Sequence, residues 1–364
     1  MLEKIFFKKR KEKENKPVED VFASYERKVK EEAKDKMKLN YLSPAQINKV
    51  IADNKDIDFL EEEMKNEMDY PDVEYLAEIL MPEIKEGRVR KNIPTEDVLK
   101  GTIIGDIIGS KYEFTEHDYN AAKTEELPPE FATFTDDTVL SIATMKAILE
   151  NNKEPNFRQA YIDAYHKYPR AGYGSTFVGW ALGDKDNTTG YHSMANGCCM
   201  RISFIPAYYE DARDVIKHTI KSVIVTHNHI ESIKAAVILS VCIWMALHNY
   251  TKEEIYDYCK KHYWYPHEDR RQLIYQWCQC DLNVDLSSLV INNQTESLYS
   301  NYAVPFAIKC FYETESYEEC MRGILSHFCD TDTICAIAGG LCYAYYGMME
   351  FDMEEMMSKY NVSL

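Results

Sequence analysis

The sequence predicts an all-α protein. From Thr95 onward, apolar residues recur at helical spacing in one segment after another. No run alternates polar and apolar residues for long enough to require a β-sheet. The chain has 364 residues and is 45% hydrophobic, so it can bury a sizeable core in one large domain or two ordinary ones.

The N-terminal part of the chain differs in composition from the rest. Residues 8–38 are rich in lysine and glutamate and have few apolar anchors, which is typical of a solvated helix or a disordered tail. Further on, Ser43-Pro44 marks the start of a short helix. We therefore expect residues 1–90 to form a charged, helical and partly disordered extension, and residues 91–364 to form the main domain.

The main domain is expected to begin with a helix capped by Thr95. Glycines recur every four residues along it, at Gly101, Gly105 and Gly109, a spacing that favours close helix packing. Further helices are predicted at residues 137–151, 157–168, 212–222, 230–247, 252–261, 303–312, 317–326 and 333–346.

Charge and cysteine usage exclude several classes of protein. A net charge of −18 argues against nucleic acid as the main partner, because phosphate binding needs a basic surface. The eleven cysteines are scattered without zinc-ribbon spacing, which favours reduced thiols in a cytoplasmic protein. No run reaches the length of a membrane span, and the most apolar stretch, residues 235–247, is expected to be a buried helix. No membrane partner is expected.

Two acidic stretches, residues 134–138 (Phe-Thr-Asp-Asp-Thr) and residues 330–333 (Asp-Thr-Asp-Thr), each precede a strongly apolar run. Either stretch alone could be a helix-capping cluster, since Asp and Thr are common N-caps. Two matching stretches favour one shared site, because buried carboxylates are usually paired or bind a metal. Ligands that offer only oxygen suit Mg²⁺, Mn²⁺ or Ca²⁺ rather than zinc.

Three loops are candidates for substrate contact: residues 172–174, 193–201 and 226–229. The alternative is structural, since an Asn-Gly pair usually marks a turn and a single histidine is more often a structural hydrogen-bonding residue.

Taken in order, these motifs resemble the ADP-ribosylglycohydrolase family, which includes the dinitrogenase-reductase-activating hydrolases. The resemblance covers residues 95–347 and leaves the extension outside. The matching motifs are Gly105-Asp106-x-x-Gly109, Glu113, Phe134-Thr135-Asp136-Asp137-Thr138, Asn196-Gly197-x-x-Met200-Arg201, Thr226-His227 and Asp330-Thr331-Asp332-Thr333.

The resemblance implies a compact multi-helix domain with two Mg²⁺ ions in a central cleft, Mn²⁺ being the alternative ion. The implied metal ligands are Thr135, Asp136, Asp137, Asp330, Asp332 and Thr333. The implied substrate-binding residues are Ser193, Asn196, Gly197, Met200 and His227, and the loop at residues 172–174 adds Gly172 and Tyr173 as candidates on its own. The chain departs from the family pattern at His327-Phe328-Cys329 and at Ala195, where glycines are usual.

Cleavage of a glycosidic bond to ribose passes through an oxocarbenium-like state and needs an activated water and a proton acceptor. Metal ions can lower the pKa of a water molecule while a carboxylate accepts its proton. The candidate catalytic residues are Glu113, Asp136 and Asp332, and Glu113 is the candidate proton carrier.

The leading hypothesis is a Mg²⁺-dependent hydrolase that removes ADP-ribose from an ADP-ribosylated protein, with arginine as the modified residue. One alternative is an antitoxin or immunity protein whose extension occludes a partner ADP-ribosyltransferase. Another is a hydrolase of small ADP-ribose derivatives.

Overall fold

The computed structural model describes residues 77–113, 124–183, 189–263, 280, 282–283, 285–288 and 294–364. Within these ranges the regular secondary structure is helical, and the one extended pairing is an isolated bridge between Ala195 and Tyr299. The predicted all-α class is therefore confirmed. The short helix predicted to start at Ser43-Pro44 lies outside the described residues.

The helices predicted from residue 95 onward are all observed, with small shifts at their ends. Four additional helices, Ser175–Ala181, Phe204–Tyr208, Gln294–Ser297 and Met353–Lys359, were not predicted, because they are too short for a helical period to stand out. The described helices are α1 (Thr95–Gly109), α2 (Asp136–Glu150), α3 (Phe157–Lys167), α4 (Ser175–Ala181), α5 (Phe204–Tyr208), α6 (Ala212–Ile224), α7 (Ile230–Leu247), α8 (Lys252–Tyr263), α9 (Gln294–Ser297), α10 (Ser300–Glu313), α11 (Tyr317–Leu325), α12 (Thr331–Tyr346) and α13 (Met353–Lys359).

The prediction that Thr95 caps α1 is wrong. Thr95 is the first helical residue, and Pro94 precedes it at the N-cap without a side-chain hydrogen bond. The Thr95 hydroxyl instead donates to the carbonyl of Ala207, 3.3 Å away. The hydroxyl therefore ties α1 to α5 rather than to its own first turn.

Helices α1 and α12 pack backbone to backbone at the centre of the domain. A Cβ atom added to Gly105 would overlap the backbone of Cys335, and one added to Gly109 would lie 2.6 Å from the Cα of Asp332. The predicted role of the glycine spacing in close helix packing is confirmed. This contact places the C-terminal end of α1, which carries Asp106, beside the N-terminal end of α12, which carries Asp332.

Helix α7 is the most apolar element of the core. Among the described helices it alone is long and apolar enough to cross a membrane, so the expectation that no run reaches that length is wrong. However, 94% of this helix is buried inside the protein. It packs against α6, α10 and α12. The prediction of a buried helix here is confirmed.

Residues 77–91 pack against the main domain. Leu80 is buried, and its carbonyl accepts a hydrogen bond of 2.7 Å from the Tyr258 hydroxyl. Arg88 forms an ion pair of 2.7 Å with Glu254 of α8. The division of the chain at residue 90 stays a prediction, and these contacts join the last part of the predicted extension to the domain.

Candidate active site

The start of α2 is held by a carboxylate from another helix. Asp106, fully buried on α1, accepts hydrogen bonds from the backbone N–H groups of Thr135 (2.9 Å) and Thr138 (3.1 Å). It also accepts from their hydroxyls, at 2.7 Å and 2.5 Å. These bonds satisfy N–H groups that a helix N-terminus leaves unpaired. Asp106 thus fixes the direction of the first turn of α2.

Asp106 belongs to the motif Gly105-Asp106-x-x-Gly109 but is not among the predicted site residues. A signal for it existed in the sequence, because Asp106 interrupts the apolar run from Ile103 to Ile108. A carboxylate in such a position needs several hydrogen bonds or a cation.

The start of α12 carries the second set of acids. Asp330 lies at its N-cap, where its backbone N–H donates to the Ser297 hydroxyl (2.8 Å) and its carboxylate accepts from the Asn196 amide (2.7 Å). Asp332 lies in the first turn and accepts from the backbone N–H of Thr333 at 2.8 Å. Both acidic stretches therefore sit at helix N-termini.

The two N-termini meet, so that the acidic stretches form one site. One group of carboxylates consists of Asp106, Asp137 and Asp332, and the other of Glu113, Asp330 and Asp332. Within each group, oxygen atoms of all three residues lie within 4.8 Å of one another. Asp332 belongs to both groups and links them.

The electrostatics of this cluster fit a bound cation. Burial, followed by repulsion from neighbouring acids, raises the pKa of Asp137 and that of Asp332 well above the usual range. Burial is also the main cause that raises the pKa of Glu113 to about 7. Within the described ranges, none of these carboxylates forms an ion pair with a lysine or arginine. A divalent cation would supply the missing positive charge.

One oxygen atom gives a more specific indication of the same kind. The Oδ1 atom of Asp137 is buried and has no hydrogen-bond partner among the described residues. Its Oδ2 atom lies 3.2 Å from the Thr135 hydroxyl, whose proton is donated at the shorter distance to Asp106, and accepts from the Thr333 hydroxyl at 3.4 Å. An unpaired, buried carboxylate oxygen is costly unless a ligand binds it.

Asp136 lies close enough to the cluster that, after burial, repulsion from Asp106, Glu113 and Asp330 raises its pKa well above the usual range. It belongs to neither carboxylate group of the described residues and lies beside Gly172, where an added Cβ would come within 3.4 Å of its Oδ1 atom. Gly172 has a φ of +104°, a conformation that favours glycine. Next to it, the Tyr173 ring stacks on Phe177 with 5.1 Å between centroids. The predicted residues Asp136, Gly172 and Tyr173 therefore form one wall near the carboxylates.

The loop at residues 193–200 forms another wall. The Ser193 hydroxyl accepts from the backbone N–H of Ala195 at 3.0 Å, which stabilises a turn leading to Asn196. The Met200 sulfur lies 3.9 Å from the Thr333 hydroxyl. A Cβ added to Gly197 would lie 3.6 Å from the Nε2 atom of His227. The structure thus brings this loop and His227 together beside the carboxylates.

Comparison with known proteins agrees with this geometry. The family model of the ADP-ribosylglycohydrolases matches residues 95–355. The chain belongs to the ADP-ribosylglycohydrolase family. The match begins at the first residue of α1, so the residues before it lie outside the family domain.

Several ADP-ribosylglycohydrolase relatives are similar over most of their length. A putative ADP-ribosyl glycohydrolase of Acanthamoeba polyphaga mimivirus is 24% identical, covering 69% of this chain and 86% of that protein. The ADP-ribosylhydrolase ARH3 of Mus musculus is 24% identical (69% of this chain, 83% of that one), and that of Homo sapiens is 23% identical (69% and 84%). A solved structure, of an ADP-ribosylglycohydrolase-related protein complex, shares the fold with a TM-score of 0.51 at 20% identity, covering 74% of this chain and 98% of that one.

The departures from the ADP-ribosylglycohydrolase pattern do not strain the backbone. Ala195 has φ −68° and ψ 159°, an extended conformation open to any residue. None of His327, Phe328 and Cys329 has a positive φ. The added Cβ atoms are therefore compatible with the local backbone at both places.

Proposed function

We propose that this protein is a Mg²⁺-dependent hydrolase that removes ADP-ribose from an ADP-ribosylated protein. Family membership supports hydrolysis of an ADP-ribosyl bond. The observation that supports the metal is the pair of carboxylate groups that share Asp332, one of which contains the unpaired Oδ1 atom of Asp137.

The two carboxylate groups suit two separate cations. Asp106, Asp137 and Asp332 would hold one ion, and Glu113, Asp330 and Asp332 would hold or face the other. Bound magnesium supplies a Lewis acid that polarises oxygen atoms of its ligands. Mn²⁺ prefers the same oxygen donors, so it is the alternative ion.

The protein's own residues then have distinct tasks. Glu113 is half-buried and its pKa is raised to about 7, mainly by burial. A carboxyl group with a pKa near neutrality is suited to take a proton from the attacking water, because it is ionised yet still basic. Asn196 orients Asp330 by donating to its carboxylate. Tyr173 and His227 lie on two walls beside the carboxylates, where they can bind the ADP-ribosyl group.

The modified residue is the finer part of the proposal. The family resemblance implies an N-glycosidic bond to arginine, and we propose this linkage as the first to be tested. Serine- and aspartate-linked ADP-ribose, and small ADP-ribose derivatives, are the competing substrates. A transferase partner, proposed for the extension, rests on residues outside the described part of the chain.

The test is release of ADP-ribose from arginine-, serine- and aspartate-linked peptides by the purified full chain, in Mg²⁺, in Mn²⁺ and in EDTA. Asp332→Asn is the variant, because it keeps the shape and removes the shared charge. Asp257→Asn is the matched control, since Asp257 pairs only at the surface with Lys260.

We expect release in Mg²⁺ by the wild type and the control, and none in EDTA or by Asp332→Asn. Equal release in EDTA would overturn the magnesium requirement. If the protein binds Mg²⁺ but releases ADP-ribose from none of these substrates, the hydrolase assignment is overturned. Release only from the serine or aspartate peptide would overturn the arginine linkage alone.

A further inference from the structure

Arg201 is a buried cation that forms no ion pair with a carboxylate of the described residues. It is 0% exposed, and its guanidinium carbon lies 4.0 Å from the centroid of the Tyr161 ring. Its Nη2 atom donates to the Thr226 hydroxyl (2.6 Å) and to the Ser222 carbonyl (3.3 Å). The Nε and Nη1 atoms have no hydrogen-bond partner among the described residues. Burying an arginine with two unpaired nitrogen atoms costs folding free energy. Its presence at this position therefore points to a function for its contact with Thr226.

The direction of the hydrogen bonds at Thr226 follows from the chemistry of arginine. A guanidinium group can only donate, so the Thr226 oxygen accepts from Arg201. The hydroxyl proton of Thr226 is then free to be donated elsewhere. The Thr226 oxygen lies 2.8 Å from Nδ1 of His227 and 3.4 Å from the Val223 carbonyl. The Thr226 hydroxyl also forms a hydrogen bond with the Tyr191 side chain, whose O–H can donate to the second lone pair of the Thr226 oxygen. With Arg201 and Tyr191 as donors, the Thr226 proton goes to Nδ1, the shorter of the two remaining contacts, and Nδ1 accepts.

This assignment determines the state of the His227 ring. When Nδ1 accepts a hydrogen bond, the neutral imidazole carries its hydrogen on Nε2. Burial and, secondarily, the charge of Arg201 lower the pKa of His227 well below the usual range, so the ring stays neutral at physiological pH.

The Nε2 atom lies on the side of the candidate active site. It is 3.6 Å from the position that a Cβ atom of Gly197 would take. The preceding residue, Asn196, donates to Asp330 at 2.7 Å. Because Gly197 has no side chain, it does not cover Nε2, which a Cβ atom at this position would contact.

We propose that Arg201 and Thr226 are positioning residues that fix His227 in the Nε2–H form, so that His227 donates a hydrogen bond to an oxygen atom of the ligand beside Gly197. The ligand oxygen belongs to the ribosyl or phosphate part of ADP-ribose, and this part of the inference rests on the proposed function. The form of the ring itself is a property of the protein alone and can be measured without substrate.

The first test is ¹⁵N NMR of the histidine side chains in the full-length protein without ligand. His227 is assigned among the ten histidines by its disappearance in His227→Gln. We expect hydrogen on Nε2 in the wild type and in Thr226→Ser, which keeps the hydroxyl. Thr226→Val should show a mixture of the two forms. Hydrogen on Nδ1 in the wild type, or an unchanged ring in Thr226→Val, would overturn the proposal.

The second test is the affinity for free ADP-ribose by calorimetry in Mg²⁺. Thr226→Val should weaken binding about 3- to 10-fold, the usual worth of one neutral hydrogen bond, and Thr226→Ser should restore it. Affinity for Mg²⁺ alone should be unchanged, which a general collapse of the site would not allow. Weaker Mg²⁺ binding in Thr226→Val would overturn the specific role of the hydroxyl.

If Thr226→Val does not fold, a comparison of two His227 variants tests the Nε2–H donor. Glutamine can place an amide N–H where Nε2–H lies, whereas asparagine is too short to do so. We expect His227→Gln to retain most of the affinity for ADP-ribose and His227→Asn to lose it. Equal losses would overturn the Nε2–H donor. If the wild-type ring has the expected form but the protein hydrolyses no ADP-ribosyl bond, the proposed function fails while the ring assignment stands.

Discussion

Gly109 of α1 and Asp332 of α12 are in such close contact that a Cβ atom on Gly109 would lie 2.6 Å from the Cα of Asp332. Asp106, one turn before Gly109, belongs to the same carboxylate group as Asp332. The separation of α1 and α12 therefore sets the separation of these two carboxylates. Helix packing and the candidate metal site depend on the same contact.

The first prediction concerns this contact. Gly109→Ala should push α12 away from α1, lower the free energy of unfolding by about 1–3 kcal/mol and weaken Mg²⁺ binding about tenfold or more. Calorimetry and thermal unfolding measure the two effects. Gly323→Ala is the control, because its Cβ would make only ordinary van der Waals contacts with the side chains of Leu286 (3.4 Å) and Thr314 (3.9 Å). Unchanged Mg²⁺ affinity in Gly109→Ala would contradict this coupling.

The second prediction concerns pH. The pKa of Glu113 is raised from 4.5 to about 7, so the folded protein without metal holds this proton more tightly than the unfolded chain does. The contribution of Glu113 to stability without metal therefore falls as pH rises from about 4.5 to about 7.

Mg²⁺ needs the ionised carboxylates, and protons compete with it at low pH. The rise in melting temperature on replacing EDTA with Mg²⁺ should accordingly be larger at pH 7.5 than at pH 5. Buried histidines affect both conditions alike and cancel in this difference. In Glu113→Gln, the rise in melting temperature caused by Mg²⁺ should no longer grow as the pH passes through about 7. A Mg²⁺ effect that is independent of pH would argue against metal binding by these groups.

The third prediction concerns the proton carrier. Glu113→Gln keeps the shape of the side chain and removes its ability to accept a proton. We expect kcat to fall about 10²- to 10⁴-fold. Because Asp106, Asp137 and Asp332 form a group without Glu113, at least one Mg²⁺ ion should still bind, as calorimetry can show. Wild-type turnover by Glu113→Gln would exclude this residue as the base.

The fourth prediction concerns the domain boundary. A chain that starts at residue 77 should fold, whereas a chain that starts at residue 95 should be less stable by about 2–3 kcal/mol or more. The shorter chain loses the buried Leu80 side chain and the Arg88–Glu254 ion pair. Urea unfolding of the two chains measures the difference. Equal stabilities would show that residues 77–94 contribute nothing to the domain.

Local sequence patterns were enough to predict much of the fold. The apolar run of α7 and the glycine spacing of α1 involve residues a few positions apart, so their consequences are visible in the chain itself. The same holds for the two acidic stretches at the starts of α2 and α12. Oxygen ligands and a preference for a hard cation follow from residue type alone.

Only the tertiary structure decided how the site is assembled. Asp106 joins the cluster, and Asp136 lies between the cluster and Gly172, because α1 and α12 pack backbone to backbone and Asp106 orients the first turn of α2. The contact of Arg201 with Thr226, and through it with His227, likewise depends on a side chain buried between separate segments. Such contacts join residues far apart in sequence, and no local pattern specifies which of them meet.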